Sequence, residues 1–398
     1  MNIKQIENRY YMHTYNRNNL VVKKAKDQFI WDIYKNRYLD FFSGIGVCGV
    51  GHSNKNVIKA IKTQLKKFIH ISNLYYAPIQ IKLAKLLTRK IFSNAKIFFS
   101  NSGAEANECA IKLTRKWGAL NPSKNGNRYE IICFNNSFHG RTMSTLSATG
   151  QNKFHNYFKP LQDKFVFAEI NKINSVIKLI NEKTVAIMIE PIQGEGGIIV
   201  SEKSFLKELR KICNNENLIL IFDEVQCGIG RTGKFYAFEN YDIIPDIVTV
   251  AKSLANGLPL GATIASERCA ETFVYGDHGS TFGGNPISCA SAVAVLKIMN
   301  TKFLNNSLKI AKYFRKKLED LKNKHSIIKE IRGVGLMLGI DLDINNGQKI
   351  VELCMNNGLI INCTHETVIR FLPPLIITKE DVNYAVKILD KVLADVTF

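Results

Sequence analysis

A chain of 398 residues, 46% of them apolar, is long enough for two domains sharing one large core, and its composition excludes an unfolded polymer. The net charge of +20 comes from 54 Lys and Arg against 34 Asp and Glu, but the lysines are spread along the chain and not gathered into one stripe with interleaved aromatics, so no nucleic-acid partner is expected. No run of about 18 uncharged apolar residues is present to span a bilayer, so no membrane partner is expected either.

The first residues, Met1-Asn2-Ile3-Lys4-Gln5-Ile6-Glu7, lack the apolar centre of a secretory signal. Residues 29–50 read as short strands ending in a turn rich in glycine (Gly44, Gly46, Gly49, Gly51). From about 55 to 280, apolar strand-like runs alternate with amphipathic helical patterns. The strand candidates are Ala95–Ser100, Tyr129–Phe134, Thr184–Ile189, Leu218–Phe222 and Ile247–Ala251. Each is rich in Ile, Val or Phe and lacks alternation, as a strand buried on both faces should. Strands separated by helices imply right-handed crossovers and a mostly parallel sheet, hence an α/β fold. After Pro286 a long helical stretch over about 287–324 leads to a strand region punctuated by glycine, Arg332–Asp343. That change of texture predicts a smaller α/β domain over 285–398, a large domain over 51–284, and an N-terminal segment, 1–50, packing with the small domain. The nine cysteines are odd in number, scattered and never spaced Cys-x-x-Cys, which suits reduced thiols and a cytoplasmic location. The eight histidines form no ligand cluster, so no metal is expected.

In open α/β sheets ligands collect at the carboxyl ends of the strands. Behind the first candidate strand stands Asn101-Ser102-Gly103-Ala104-Glu105, opening a helix whose first-turn N–H groups suit a phosphate. An ordinary Ser-capped helix, with Glu105 as capping partner, explains that segment equally well. Behind Leu218–Phe222 stand Asp223-Glu224-Val225-Gln226. The carboxylate is either a surface turn acid or an anion paired with a positive heterocyclic nitrogen. Behind Ile247–Ala251 stands Lys252. Alone it reads as a snorkelling surface lysine; buried, it has a lowered pKa and is a usable nucleophile. A phosphate-suited helix start, a strand-end Asp and a strand-end Lys meet the needs of pyridoxal 5′-phosphate (PLP), which requires an imine-forming amine, a ring-nitrogen partner and a phosphate cup.

These stretches, with Leu39–His52, Phe134–Arg141, Glu190–Gly197, Phe222–Gly233, Gly279–Pro286 and Arg370–Pro374, resemble the class III (subgroup II) aminotransferases of PLP fold type I, in the acetylornithine/ornithine group. The resemblance implies that Lys252 carries PLP as an imine and that Asp223 pairs with its ring nitrogen. It also implies that Phe138 and Val225 flank the ring, that Glu224 and Gln226 belong to the cofactor site, and that Ser102, Gly103 and Ala104 cradle the phosphate. Thr281, with Ser280 beside it, would complete the cup from a neighbouring subunit, which implies a homodimer. Arg141 and Arg370 are the candidate carboxylate grips, Glu195 the carboxylate that masks Arg370, and Tyr15 a substrate neighbour. Without the flanking resemblance, Phe138 reads as core packing, Ser280 and Thr281 as turn formers, Arg370 as a surface arginine and Glu195 as a loop carboxylate.

The implied reaction moves the terminal amino group of N2-acetylornithine to 2-oxoglutarate, a ping-pong transfer within arginine biosynthesis. Relatives specific for free ornithine carry a tyrosine where this chain has Ile45, and an apolar residue suits an acylated amine. N-succinyl-diaminopimelate, a lysine-biosynthesis substrate, is a second acylated donor; ornithine, 4-aminobutyrate or an aminomutase reaction are alternatives, and a catalytically silent basic nucleic-acid-binding protein is the alternative from another class. The chain departs from the family pattern at Lys24-Ala25-Lys26-Asp27, where a Gly-x-Gly turn is common, and at Lys55, where proline is common.

Overall fold

The computed structural model describes residues 3–91 and 94–395. Three strands near the N-terminus, β1 (Val22–Lys26), β2 (Phe29–Asp32) and β3 (Arg37–Asp40), form an antiparallel meander. The central strands follow: β4 (Lys96–Ser100), β5 (Glu130–Phe134), β6 (Phe165–Ala168) and β7 (Thr184–Ile189), a short pair β8 (Ile192–Gln193) and β9 (Ile199–Val200), then β10 (Ile219–Asp223), β11 (Ile247–Val250) and β12 (Gly261–Ala265). The last group is β13 (Ile328–Val334), β14 (Met337–Leu342), β15 (Leu359–Ile360), β16 (Asn362–Thr364) and β17 (Val368–Phe371).

The central sheet has seven strands in the order β4-β12-β11-β10-β7-β5-β6. All run parallel except β12, which lies antiparallel between β11 and β4. Every residue of β7, β10 and β11 is buried, which is why their sequences carry no polar alternation. The apolar side chains divide over the two faces: Ile187, Leu220 and Val248 join one core cluster and Ala186, Ile219 and Ile247 the other.

A second sheet, β13-β14-β17-β16, is antiparallel throughout. Strand β15 pairs in parallel with β3, so the N-terminal meander is completed by a strand from far along the chain. The helical stretch after Pro286 is two helices, Pro286–Ile298 and Thr301–Lys324, set 72° apart. The break has a local cause. The Asn300 side chain accepts from the Phe303 N–H and caps the second helix, while Met299 closes the first. Among the described residues no single helix is long and apolar enough to cross a membrane.

Candidate active site

Three strand ends build one cavity. The helix Gly103–Leu120 starts directly behind β4 and packs against β12 and β11, which sets its N-terminus at the carboxyl edge of the sheet. Asp223 closes β10, and Lys252 stands two residues beyond Val250 of β11. The result is a cavity of about 490 Å³. Ser102, Gly103, Ala104, Phe138, Arg141, Asp223, Val225, Gln226 and Lys252 all line it, so nine expected residues are brought together.

The end of the cavity formed by residues 101–104 has the character of an anion site. Ser102 caps the helix through the Glu105 N–H, and Glu105 in return accepts from the Asn101 amide. The Ser102 cap therefore does not exclude the expected phosphate cradle. Among the described residues no internal acceptor takes the Gly103 and Ala104 N–H groups, which stand free in the first turn. Gly103 is required for space: a Cβ there would lie 2.6 Å from a Val225 methyl.

Asp223 is held from three directions. Its Oδ2 accepts from Asn107 Nδ2 at 2.7 Å and meets His139 Nδ1 at 2.8 Å, and its Oδ1 accepts from the Val225 N–H at 3.0 Å. Asn107 in turn accepts from Thr249 Oγ1 at 2.7 Å, tying the helix to β11. Burial works against a charged His139, but its hydrogen bond to Asp223 outweighs this and raises the imidazole above its ordinary value. Burial lowers the Lys252 amine below the ordinary lysine range; Glu195 opposes the shift and Arg370 adds to it. Lys252 also has a left-handed backbone, φ 47°.

Gln226 joins the cavity to a second cluster. Its Nε2 donates to Glu195 Oε1 at 3.2 Å and its Oε1 accepts from Arg370 Nη1 at 3.2 Å. Arg370 is 2% exposed and makes an ion pair with Glu195 at 2.6 Å. Its other nitrogens donate to Asn362 Oδ1, and Nη1 also donates to the Gly194 carbonyl. Burial alone would raise Glu195; Arg370 and Lys252 override it and hold the carboxyl at about 2. Arg141 lies exposed at the rim, its guanidinium 3.9 Å from the Phe154 ring centre and 5.3 Å from that of Phe138.

Four expected residues lie elsewhere. Glu224 is not in the cavity, because both its oxygens are taken by the Ala237 and Phe238 N–H groups at 2.6 and 2.7 Å. Those bonds fix the loop behind β10. Tyr15 is 73% exposed and stacks with Arg17, outside the cavity lining. Ser280 reaches only the rim, accepting from Asn101 Nδ2 at 3.3 Å, and Thr281 is exposed. Conversely, Asn107, His139 and Glu190 line the cavity without having been singled out. Their signal was faint: a mid-helix Asn, and polar residues beside better-marked neighbours. Among the described residues no group of three or more His, Cys, Asp or Glu could hold a metal.

Residues 10–393 match the aminotransferase class-III family. The chain belongs to that family. It is 47% identical to an acetylornithine aminotransferase of Caldanaerobacter subterraneus subsp. tengcongensis over 98% of this chain and 99% of that one. It is 46% identical to an acetylornithine aminotransferase of Methanocaldococcus jannaschii, over 98% of both chains. Its fold matches the ornithine aminotransferase of Toxoplasma gondii crystallised with oxidised glutathione, a structure with partial PLP occupancy, at a TM-score of 0.92 and 30% identity, covering 98% of this chain and 93% of that one. This class-III aminotransferase thus has fold type I and is a PLP-dependent transaminase. The free amides of Gly103 and Ala104, the fixed carboxylate of Asp223 and the buried amine of Lys252 in one cavity fit that cofactor.

Proposed function

We propose that this enzyme transfers the terminal amino group of N2-acetylornithine to 2-oxoglutarate, giving N-acetylglutamate 5-semialdehyde and glutamate. The observation that carries the reading is the buried Arg370–Glu195 pair, joined to the Lys252 cavity through Gln226. One pocket must accept two unlike substrates in turn. The acylated donor has no carboxylate beside its reacting carbon, whereas 2-oxoglutarate has one beside its keto carbon. With Glu195 on Arg370, the donor meets a neutral pair. Displaced by the 2-oxoglutarate carboxylate, Glu195 releases Arg370 for a bidentate grip. Arg141 at the rim suits the far carboxylate of either substrate.

When bound, PLP supplies the aldehyde that takes up the amino group and an electron-withdrawing ring. Lys252 Nζ, its pKa lowered by burial, holds that aldehyde at rest and moves the proton at the donor carbon. Asp223, oriented by Asn107 and His139, would pair with the ring nitrogen. The Gly103 and Ala104 N–H groups would hold the phosphate, and Phe138 and Val225 would confine the ring. Ile45, two residues from the cavity-lining Val47, favours an acylated over a free α-amine. N-succinyl-diaminopimelate shares the acylated amine, but its reacting carbon bears a carboxylate, so its use would require Arg370 to be free of Glu195.

The reading includes a homodimer in a cytoplasmic setting. Asn73 Nδ2 donates to the Ser280 and Gly283 carbonyls, joining two segments into one surface. That surface leaves Leu74 89%, Tyr76 92% and Phe282 60% exposed, an apolar face suited to a second copy. Thr281, exposed on the same segment, would serve the partner's phosphate site. The nine cysteines are free thiols. Half-reactions followed by cofactor absorbance test the donor assignment. N2-acetylornithine should bleach the resting band faster than ornithine or 4-aminobutyrate; no bleaching by N2-acetylornithine would overturn it.

A further inference from the structure

Glu190 takes no part in the roles above, yet it lies at the centre of the site. It follows β7 directly, beside Asp223, because Ile189 and Phe222 are register partners in neighbouring parallel strands. It is 5% exposed and lines the cavity. Its Oε1 accepts from the Phe138 N–H at 2.8 Å and its Oε2 from the Gly194 N–H at 3.2 Å. One carboxylate therefore fastens two loops of different origin. The first carries Phe138 and Arg141. The second carries Gly194, whose carbonyl accepts from Arg370, and Glu195, which pairs with it.

We propose that Glu190 is a positioning residue that couples the Phe138 face of the cavity to the Glu195 loop, so that ring seating and the Arg370 mask are set together, and that protonation of Glu190 uncouples them. The ionised carboxyl accepts at both oxygens. The protonated form turns one oxygen into an O–H donor facing an N–H, and one of the two bonds is lost. The charged and titratable groups facing it are His139 from the first loop, Asp223 at the end of β10, Cys227 behind it and Lys252 behind β11. Burial raises the Glu190 carboxyl to about 7; His139 opposes and Asp223 adds to the shift. The coupling is thus intact above about 7 and lost as pH falls through it.

The test uses Glu190→Gln, which keeps the size but sets an NH₂ against one N–H. Amide exchange by mass spectrometry in the cofactor-free protein reads the two loops directly. E190Q should speed exchange in both 136–142 and 192–198 by about tenfold. In the wild type the protection of both segments should fall together between pH 8 and 6. In the holoenzyme, the acidic limb of kcat near pH 7 should vanish in E190Q, with kcat down about tenfold and the KM for the donor changed less. Glu190→Asp should keep the limb. Faster exchange in only one segment, or an acidic limb persisting in E190Q, would overturn the proposal; if E190Q fails to fold, the wild-type pH series decides alone. Only the kinetic arm rests on the proposed donor. A wild type that ignores N2-acetylornithine yet shows the joint loss of protection would sink that donor and leave this coupling standing.

Discussion

At the residue scale, Lys252 is held where its chemistry needs it. A lysine with φ 47° costs about 1–2 kcal/mol of backbone strain, which the packed surroundings sustain. Ser253 anchors the turn by donating to the Gly46 carbonyl at 2.5 Å. The Glu195–Arg370 pair shows how charge decides the state of the site. With Glu195 held at about 2, its charge does not change between pH 5 and 9, so the proposed mask would open by competition from a substrate carboxylate and not by titration. The same shift has a stability consequence. A depressed carboxyl stabilises the fold above its unfolded value of 4.5 and loses that contribution as pH falls toward 2, so acid unfolding of the wild type should be steeper there than that of E195Q. Glu195→Gln should also leave Arg370 unmasked. We expect the glutamate half-reaction to gain on the acetylornithine half-reaction by about tenfold, measured as the ratio of their kcat/KM values. An unchanged ratio would refute masking. Lys252 and Asp223 were legible in the sequence because each follows an apolar run, where a charge needs a purpose. Asn107, His139 and Glu190 were not, because their partners come together only when helix, loop and strand ends converge. Glu224 misled for the same reason: adjacency to Asp223 in sequence says nothing of which side of the sheet its carboxylate faces.

At the element scale, the N-terminus of the Gly103–Leu120 helix is set by contact with its neighbours. Gly103→Ala would drive a Cβ to 2.6 Å from Val225, and relief requires moving either the helix start or Val225, the residue proposed to flank the ring. PLP affinity should fall about tenfold or more, measured by equilibrium dialysis, with little change in the thermal midpoint of the cofactor-free protein. Asn107→Leu removes the link between that helix, Asp223 and Thr249. It should lower stability by about 1–3 kcal/mol in urea unfolding, because Thr249 and Asp223 lose a buried partner. The strands Thr184–Ile189 and Ile247–Val250 could be read because burial on both faces writes a continuous apolar run. β12, Gly-Ala-Thr-Ile-Ala, was missed because small residues there make room for the helix above it; a Cβ on Gly261 would lie 2.2 Å from the Ser102 carbonyl. The bend at Met299–Asn300 was missed because Asn300 reads as a helix-interior polar residue until its capping bond is seen.

At the scale of the whole molecule, the proposed shared active site makes a prediction that a monomer cannot meet. Light scattering should give about twice the 44.9 kDa of one chain. Lys252→Ala and Thr281→Asp, each inactive alone, should together recover about a quarter of wild-type activity after unfolding and refolding as an equal mixture, since half the dimers would carry one intact site. No recovery would place Thr281 in its own subunit's site. Nothing in the primary sequence marks the Leu74–Tyr76 and Phe282 segments as one face, because they adjoin only in the folded chain, through Asn73 and the His70–Phe282 ring contact.

All of this depends on one amine holding the cofactor. Reducing the PLP-loaded enzyme with borohydride and mapping the modified peptide by mass spectrometry tests it most directly. The pyridoxyl group should be found on Lys252 alone; a protein that takes up no PLP, or a label on any other lysine, would contradict the account.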